Sequence, residues 1–225
     1  RNLLFVVRWP KLLHAAPQLE GFVLQRPRIR IVRLRDGSWN VDPFLQSSGT
    51  CSSDDVVDGR MENATVQVVD MLKTPPSVYT LRDLNLSLHR RASSSAASPL
   101  ELHGHMLGDH MRRAAVQAAV DLCRQSWTVA LQLDELDISP ELHASLPAAV
   151  CQQLGQLTLR ARSNIVLTVA YDPDRSNPWK FQADVAITEG RIDDPRLPYP
   201  LSDLNAQVSA TESGLVMRSL SARYR

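Results

Sequence analysis

The fold is decided by residues 162–210, which read RSNIVLTVAYDPDRSNPWKFQADVAITEGRIDDPRLPYPLSDLNAQVSA. Apolar and polar residues alternate in three runs of this stretch, and turns rich in Pro, Asp and Gly separate the runs. The apolar positions are Ile165, Leu167, Val169 and Tyr171, then Phe181, Ala183, Val185 and Ile187, then Leu204, Ala206 and Val208. A period of two places alternate side chains on opposite faces of a strand. The stretch therefore predicts antiparallel strands with one apolar face and one wet face.

The same alternation recurs along most of the chain and predicts roughly a dozen strands. Only one helix signal is strong: Ser139-Pro140-Glu141 combines an N-cap hydroxyl, a proline at the first helical position and an early acid. A helix over 140–154 would be only about 21 Å long, too short to cover so many strands. We therefore predict an all-β protein with one or two short helices, whose long, twisted antiparallel sheet is curled into an open groove. A sheet that closes around its own core is the alternative.

Composition excludes some classes of function. The 225 residues have a formal net charge of +1, whereas a nucleic-acid binder presents a strongly basic face. Aromatic residues make up 5% of the chain, which argues against a platform for stacking bases. Cys51, Cys123 and Cys151 are far apart and odd in number, which predicts separate thiols. The chain begins and ends inside strand-like runs, 2–8 and 216–224, so we expect a segment of a longer protein.

No set of residues has the pattern of an enzyme. His103, His105 and His110 favour a solvated strand and turn over a metal site, because zinc needs three or four placed ligands. The acidic run at 134–141 fits a solvated turn and a helix start. The serines at 93–98 lack a nucleophile's context, so a β-sandwich hydrolase is disfavoured. The sequence predicts a non-enzymatic protein with no metal and no cofactor.

Two segments of the chain repeat one another. Residues 59–61 read GRM, and a proline-containing bend leads from them to residues 81–88, LRDLNLSL. Residues 190–192 read GRI, and a similar bend leads to residues 201–208, LSDLNAQV. We interpret the shared Asp as part of the turn that launches the following strand. A repeated hairpin unit is typical of an architecture that grows by adding strands.

These motifs resemble those of the AsmA-like family, which includes the TamB-type proteins of diderm bacterial envelopes. Residues 25–31, QRPRIRI, followed by residues 36–41, DGSWNV, are similar to the family's P-x-I-x-I … D-G-x-x-N pattern. Residues 190–194, 199–205 and 213–220 fit the family's pattern as well. The resemblance covers most of the chain and rests on short motifs.

The resemblance implies a function and a location. Proteins of this family are anchored in the inner membrane by an N-terminal helix and extend a long β-groove through the periplasm, along which phospholipid passes to the outer membrane. For this chain it implies non-enzymatic lipid transport or outer-membrane maintenance, with phospholipid or another acyl-chain lipid as the ligand and no nucleic acid. We expect a periplasmic location, anchorage to the inner membrane by a helix that this segment lacks, and outer-membrane proteins as further partners.

The open groove would bind lipid through its apolar lining. The lining residues predicted from the alternation are Val66, Val68, Leu84, Leu86, Leu88, Leu131, Leu133, Ile165, Leu167, Val169, Val185, Ile187 and Val208. We divide the chain into an N-terminal module, 1–90, and a continuing groove module, 91–225, that share one sheet. The alternative function is a structural or assembly scaffold of the cell envelope. Such a scaffold would bind protein partners through the loops at 46–58 and 90–99 or through sheet edges.

Overall fold

The computed structural model describes residues 2–7, 19–42, 58–90, 99–121, 123–145, 159–193 and 198–224. These residues form twelve strands and one short helix, α1 (Pro140–Ser145). The strands are β1 (Asn2–Val7), β2 (Leu19–Gln25), β3 (Arg28–Arg33), β4 (Asp58–Asp70), β5 (Ser77–Arg90), β6 (Leu100–Gly108), β7 (Met111–Asp121), β8 (Ser126–Ile138), β9 (Leu159–Tyr171), β10 (Trp179–Ile192), β11 (Leu201–Thr211) and β12 (Gly214–Tyr224).

All twelve strands belong to one sheet that is not closed. From β4 to β12 each strand pairs antiparallel with the next, as the alternating runs and turns predict. β2 and β3 instead pair parallel with β4, so the sheet is mixed. The predicted all-β fold with an open sheet is confirmed, and the two parallel pairings are the departure. β5 pairs with β6, so the sheet continues across the boundary drawn at residue 90.

The parallel pairings arise because β2 and β3 lie end to end along the same edge of β4. Pro27 has no N–H and interrupts the ladder between them. The two strands stay in line through the Arg26 N–H, which donates to the Glu62 carbonyl at 2.8 Å, and the Thr65 N–H, which donates to the Pro27 carbonyl at 2.9 Å. The Q-R-P-R segment therefore forms a broken strand rather than a turn between two hairpins.

The D-G-x-x-N motif covers the outer edge of β3. The Asn40 side chain accepts a hydrogen bond from the Val32 N–H at 2.8 Å and donates one to the Arg30 carbonyl at 2.9 Å. Asp36 accepts hydrogen bonds from the hydroxyl and the N–H of Ser38, which hold the pKa of Asp36 below its usual value. A side chain that pairs with an exposed strand edge blocks further strand addition there. The motif thus has a structural role in this chain.

Five non-glycine residues inside strands adopt a positive φ between 49° and 54°: Asn63, Asp83, Glu135, Glu189 and Asp203. A shift in pairing register accompanies each of them. They are therefore β-bulges, and Asn and Asp tolerate this conformation better than most residues. The interpretation of the repeated Asp as a turn residue was wrong, because Asp83 and Asp203 lie within β5 and β11. Part of the turn expected between the second and third alternating runs is likewise a bulge, at Glu189 inside β10.

The repeated L-x-D-L-N motif builds these bulges. The Asn85 side chain donates to the Asp83 carbonyl at 2.8 Å and accepts a hydrogen bond from the Asn63 N–H at 3.0 Å. The Asn205 side chain donates to the Asp203 carbonyl at 3.0 Å in the same way. Bulges bend a strand and increase its twist, and a series of them across neighbouring strands curves a sheet. The repeated sequence motif therefore forms the same type of β-bulge twice, and each bulge adds curvature to the sheet.

The described strands form a single layer rather than a compact globule. The accessible surface of the protein is 15534 Å², whereas a compact monomer of this mass exposes about 10,300 Å². Its densest packing lies between β3 and β6, around Ala64, Val66 and Leu84. No helix among the residues described is long and apolar enough to cross a membrane.

The helix begins where the sequence predicts it. The Leu142 N–H donates to the Ser139 hydroxyl at 3.3 Å, which is the expected N-cap bond. α1 extends to Ser145, and the rest of the predicted helix, 146–154, lies outside the described residues. Leu142 is buried, and α1 contacts β5 and β8. The Lys73 ammonium donates to the Ala144 carbonyl at 3.1 Å and ties the β4–β5 turn to α1.

Candidate functional site: an apolar face of the sheet

All thirteen residues predicted to line the groove lie on the same face of the sheet. Directly paired residues share a face, and the pairings run without a break from β4 to β12. One row, for example, joins Leu131, Leu167 and Ala183 across β8, β9 and β10. We call this side the apolar face and the other side the polar face. The members predicted from sequence are Val66, Val68, Leu84, Leu86, Leu88, Leu131, Leu133, Ile165, Leu167, Val169, Val185, Ile187 and Val208.

Most of the apolar face is in contact with solvent. Val66 and Leu84 are buried in the cluster around Ala64, but the other eleven predicted residues are only partly buried. The nine strands from β4 to β12 span about 38 Å at the usual strand spacing of about 4.8 Å. A contiguous apolar surface of this size is uncommon on a soluble protein and marks a binding surface.

No second sheet covers this face within the described part of the chain. Extensive contacts between elements run only between neighbouring strands and from α1 to β5 and β8. The described strands therefore do not form two sheets packed face to face. α1 contacts β5 and β8 at the end of the sheet near the β4–β5 turn.

The apolar face also contains residues that the sequence analysis did not assign. β6 and β7 add five residues that pair with one another or with assigned residues: Leu102, Met106, Ala114, Val116 and Ala118. The alternation in β6 was visible in the sequence, but the many Ala and Gln residues of β7 also favour a helix. β12 adds a further row: Leu215, Met217, Leu220, Ala222 and Tyr224. Every residue of β12 is exposed.

Aromatic rings gather at the end of the apolar face that lies opposite α1. Trp127, Tyr171 and Trp179 pair side by side on β8, β9 and β10. The Trp127 and Trp179 rings meet edge to face at 5.5 Å, and the Tyr171 and Trp179 rings lie 4.9 Å apart. Phe181 pairs with Val169 in the adjacent row. We call these four aromatic residues the aromatic end. It could not be recognised from the sequence, because Trp127 lies far from the other three in the chain and meets them only once β8 and β9 are in register.

A cavity of about 480 Å³ lies on the polar face, and Arg60, Arg113, His103 and His105 help to line it. The two histidines share a face, as predicted, and both are exposed. His103 lies 3.8 Å from the Glu101 carboxylate. The described residues contain no group of three or more candidate metal ligands. The cavity is thus a solvated depression lined by charged and polar side chains.

The electrostatics of the polar face consist of exposed pairs. The Ser209 hydroxyl, followed by the Gln182 side chain, donates to Asp184 and holds the pKa of that carboxyl below its usual value. Arg112 pairs with Glu135 at 3.2 Å beside the β8 bulge. Exposed pairs of this kind contribute little to stability. Cys123 is an exposed thiol in the β7–β8 turn, and Cys51 and Cys151 lie outside the described residues.

Comparison with known proteins adds no relative: no family model, no curated protein and no solved structure matches the chain. The resemblance to the AsmA-like family therefore rests on the sequence motifs and stays a prediction.

Proposed function

We propose that this chain is an AsmA-like segment that binds acyl chains on its apolar face and helps to move phospholipid between the inner and outer membranes. The observation that carries the proposal is the continuous, partly exposed apolar face from β4 to β12. The proposed location is the periplasm, with anchorage of the full-length protein in the inner membrane. Movement along such a face requires no catalysis, so we propose a non-enzymatic role in outer-membrane biogenesis and maintenance.

The free energy gained by burying CH₂ groups on the apolar face is sufficient to bind an acyl chain. Each buried CH₂ group contributes about 0.8 kcal/mol, so ten of them contribute about 8 kcal/mol. That free energy corresponds to a dissociation constant of roughly 1 µM before ordering costs are subtracted. The contribution is spread over many equivalent groups, and the apolar face repeats similar side chains from strand to strand. A chain can therefore shift by one row at little cost while its head group stays in water.

A pair of variants on one strand tests the proposal. Leu167 lies on the apolar face between Leu131 and Ala183, and Thr168 is exposed on the polar face of the same strand. We expect Leu167→Glu to weaken binding of a fluorescent fatty acid by about tenfold or more, because a carboxylate covered by an acyl chain loses hydration. Thr168→Glu adds the same charge to the same strand and is expected to bind as the native protein does.

Photo-crosslinking with a phospholipid that carries a diazirine in its acyl chain provides a second readout. We expect Val185→Glu to lose the cross-link while circular dichroism retains the β signal. Native-like cross-linking in Leu167→Glu and Val185→Glu would refute acyl-chain binding on the apolar face. Loss of the β signal in Thr168→Glu as well would mean that the strand cannot accept a charge on either face.

The second candidate function is a scaffold of the cell envelope that binds a protein partner through a sheet edge. Within the part of the chain that the structure describes, all eleven residues of β12 are exposed, and a long exposed edge strand readily accepts another strand. Mass spectrometry of the purified protein separates the two candidates. Co-purified phospholipid supports the acyl-chain proposal. A lipid-free preparation that contains a bound protein partner supports the scaffold.

A further inference from the structure

The aromatic end projects beyond the neighbouring hairpin. Pairing between β10 and β11 starts at Gln182, opposite Thr211, so Trp179, Lys180 and Phe181 extend past the end of β11. Three residues of strand span about 10 Å. The loop at 172–178 joins this projection to β9. The β9–β10 hairpin therefore forms a tip with aromatic side chains on one face.

The aromatic rings of the tip are exposed to solvent, and the Trp179 ring is also held in place by its neighbours. Trp179 is 53% exposed and Phe181 is 40% exposed. The contacts of Trp179 with Trp127 and Tyr171 hold its ring in place, so little side-chain entropy remains to be lost on binding. Ordered Trp and Tyr rings with one apolar side and one polar atom suit the boundary between hydrocarbon and water in a bilayer.

The charge at this end is balanced. The described residues in the β7–β8 and β9–β10 turns and beside them carry three carboxylates and three cations: Asp121, Asp172, Asp174, Arg124, Arg175 and Lys180. Arg175 pairs with Asp172 at 2.8 Å. A neutral surface gains nothing from the field of an anionic membrane, so contact with lipid would depend on the aromatic rings. The depth to which interfacial apolar side chains enter a bilayer, about 5–10 Å, is similar to the length of the projection.

We propose that the aromatic end docks the protein on the interfacial region of a phospholipid bilayer, with Trp179 and Phe181 inserted below the head groups. Docking places the row of Val129, Val169 and Phe181 next to the bilayer, at the end of the apolar face where a lipid would enter or leave. The aromatic rings that dock are not among the residues assigned to acyl-chain binding. Docking therefore stands or fails independently of the proposed function.

Co-sedimentation with phosphatidylcholine vesicles tests the docking. The double variant Trp179→Ala/Phe181→Ala is expected to bind at least about tenfold more weakly than the native protein. The control, Leu220→Ala/Tyr224→Ala, removes an aliphatic and an aromatic residue that are also exposed but lie on β12. Tyr224 lies at the opposite end of the sheet, and the control is expected to bind as the native protein does. Raising the salt from about 0.1 M to about 0.5 M is expected to leave native binding unchanged.

Three results would overturn the docking proposal: no native binding to phosphatidylcholine vesicles, equal loss in both double variants, or binding that requires anionic lipid and disappears in salt. Binding of a soluble fluorescent fatty acid separates this result from the proposed function. Leu167→Glu, in a central row of the apolar face, is expected to lose that binding and to sediment with the vesicles as the native protein does. A native protein that binds vesicles but not the fatty acid would refute acyl-chain binding and leave docking intact.

Discussion

The Asn85 side chain holds two bulges in adjacent strands, and its removal is the sharpest test of how the sheet acquires its curvature. It donates to the Asp83 carbonyl within β5 and accepts from the Asn63 N–H of β4. Asn63 and Asp83 both have positive φ, so each is held in a conformation that its own backbone disfavours. Asn85→Ala deletes both hydrogen bonds at once, together with a longer contact of 3.4 Å between the Asn85 amide and His105 Nε2.

The magnitude follows from the number of bonds and their exposure. Each hydrogen bond contributes about 0.5–1.5 kcal/mol net, and both lie at the surface, where water replaces the lost partner. We expect Asn85→Ala to lower the free energy of unfolding by about 1–2 kcal/mol. Asn205 is the matched control, because its side chain makes the equivalent bond to Asp203 but has no counterpart of the Asn63 bond. Asn205→Ala is expected to cost about half as much.

Urea unfolding followed by circular dichroism measures both variants. With a slope of about 2–3 kcal/mol per M for a chain of this size, Asn85→Ala shifts the midpoint by roughly 0.5 M. A neutral Asn85→Ala, or an Asn205→Ala variant that costs as much as Asn85→Ala, would contradict this role of the Asn85 side chain. A changed slope without a changed midpoint would also count against it, because that outcome reports altered exposure rather than a lost bond.

Two further predictions concern neighbouring parts of the sheet. Gly104→Ala is expected to lower the thermal midpoint at a cost of about 1–3 kcal/mol, because its Cβ would lie 2.6 Å from the Asn85 carbonyl oxygen and against the Leu86 side chain; an unchanged midpoint would show that the β5–β6 spacing relaxes freely. Ser209→Ala is expected to destabilise the protein at neutral pH, because the Ser209 hydroxyl lowers the pKa of Asp184 in the folded state. That stabilisation is fully present above pH 3.8, the ordinary pKa of the carboxyl, and is lost as the pH falls through the lower pKa of the folded state. The unfolding curves of the variant and the native protein should therefore converge once the pH is below the folded-state pKa. A constant difference in stability down to about pH 2 would contradict this prediction.

Much of the fold could be predicted from residue alternation. The run from Ile165 to Tyr171 has a period of two, and the structure places its apolar members on one face of β9. All the predicted lining residues lie on the apolar face of the sheet, because a period of two fixes the face of each residue once the strand pairing is known. The N-cap at Ser139 was also predictable, since it depends on three consecutive residues.

The parts that could not be predicted depend on residues distant in sequence. The bulge at Asp83 requires the Asn63 backbone and the Asn85 amide together. The sequence motif D-L-N by itself fits a turn equally well. The parallel pairing of β3 with β4 depends on where the chain returns after residue 42, which alternation does not encode. The aromatic end requires three strands in register before Trp127 and Trp179 meet.

Because each strand of this sheet contacts little beyond its two neighbours, cooperativity in the molecule is short in range. Amide protection should be greatest near β4 and β5 and should fall strand by strand towards β12, which has one neighbour and no buried residue. Such a chain can lengthen by duplicating a hairpin without redesigning a central core. It also tolerates the loss of a terminal hairpin better than a globular domain of the same mass does.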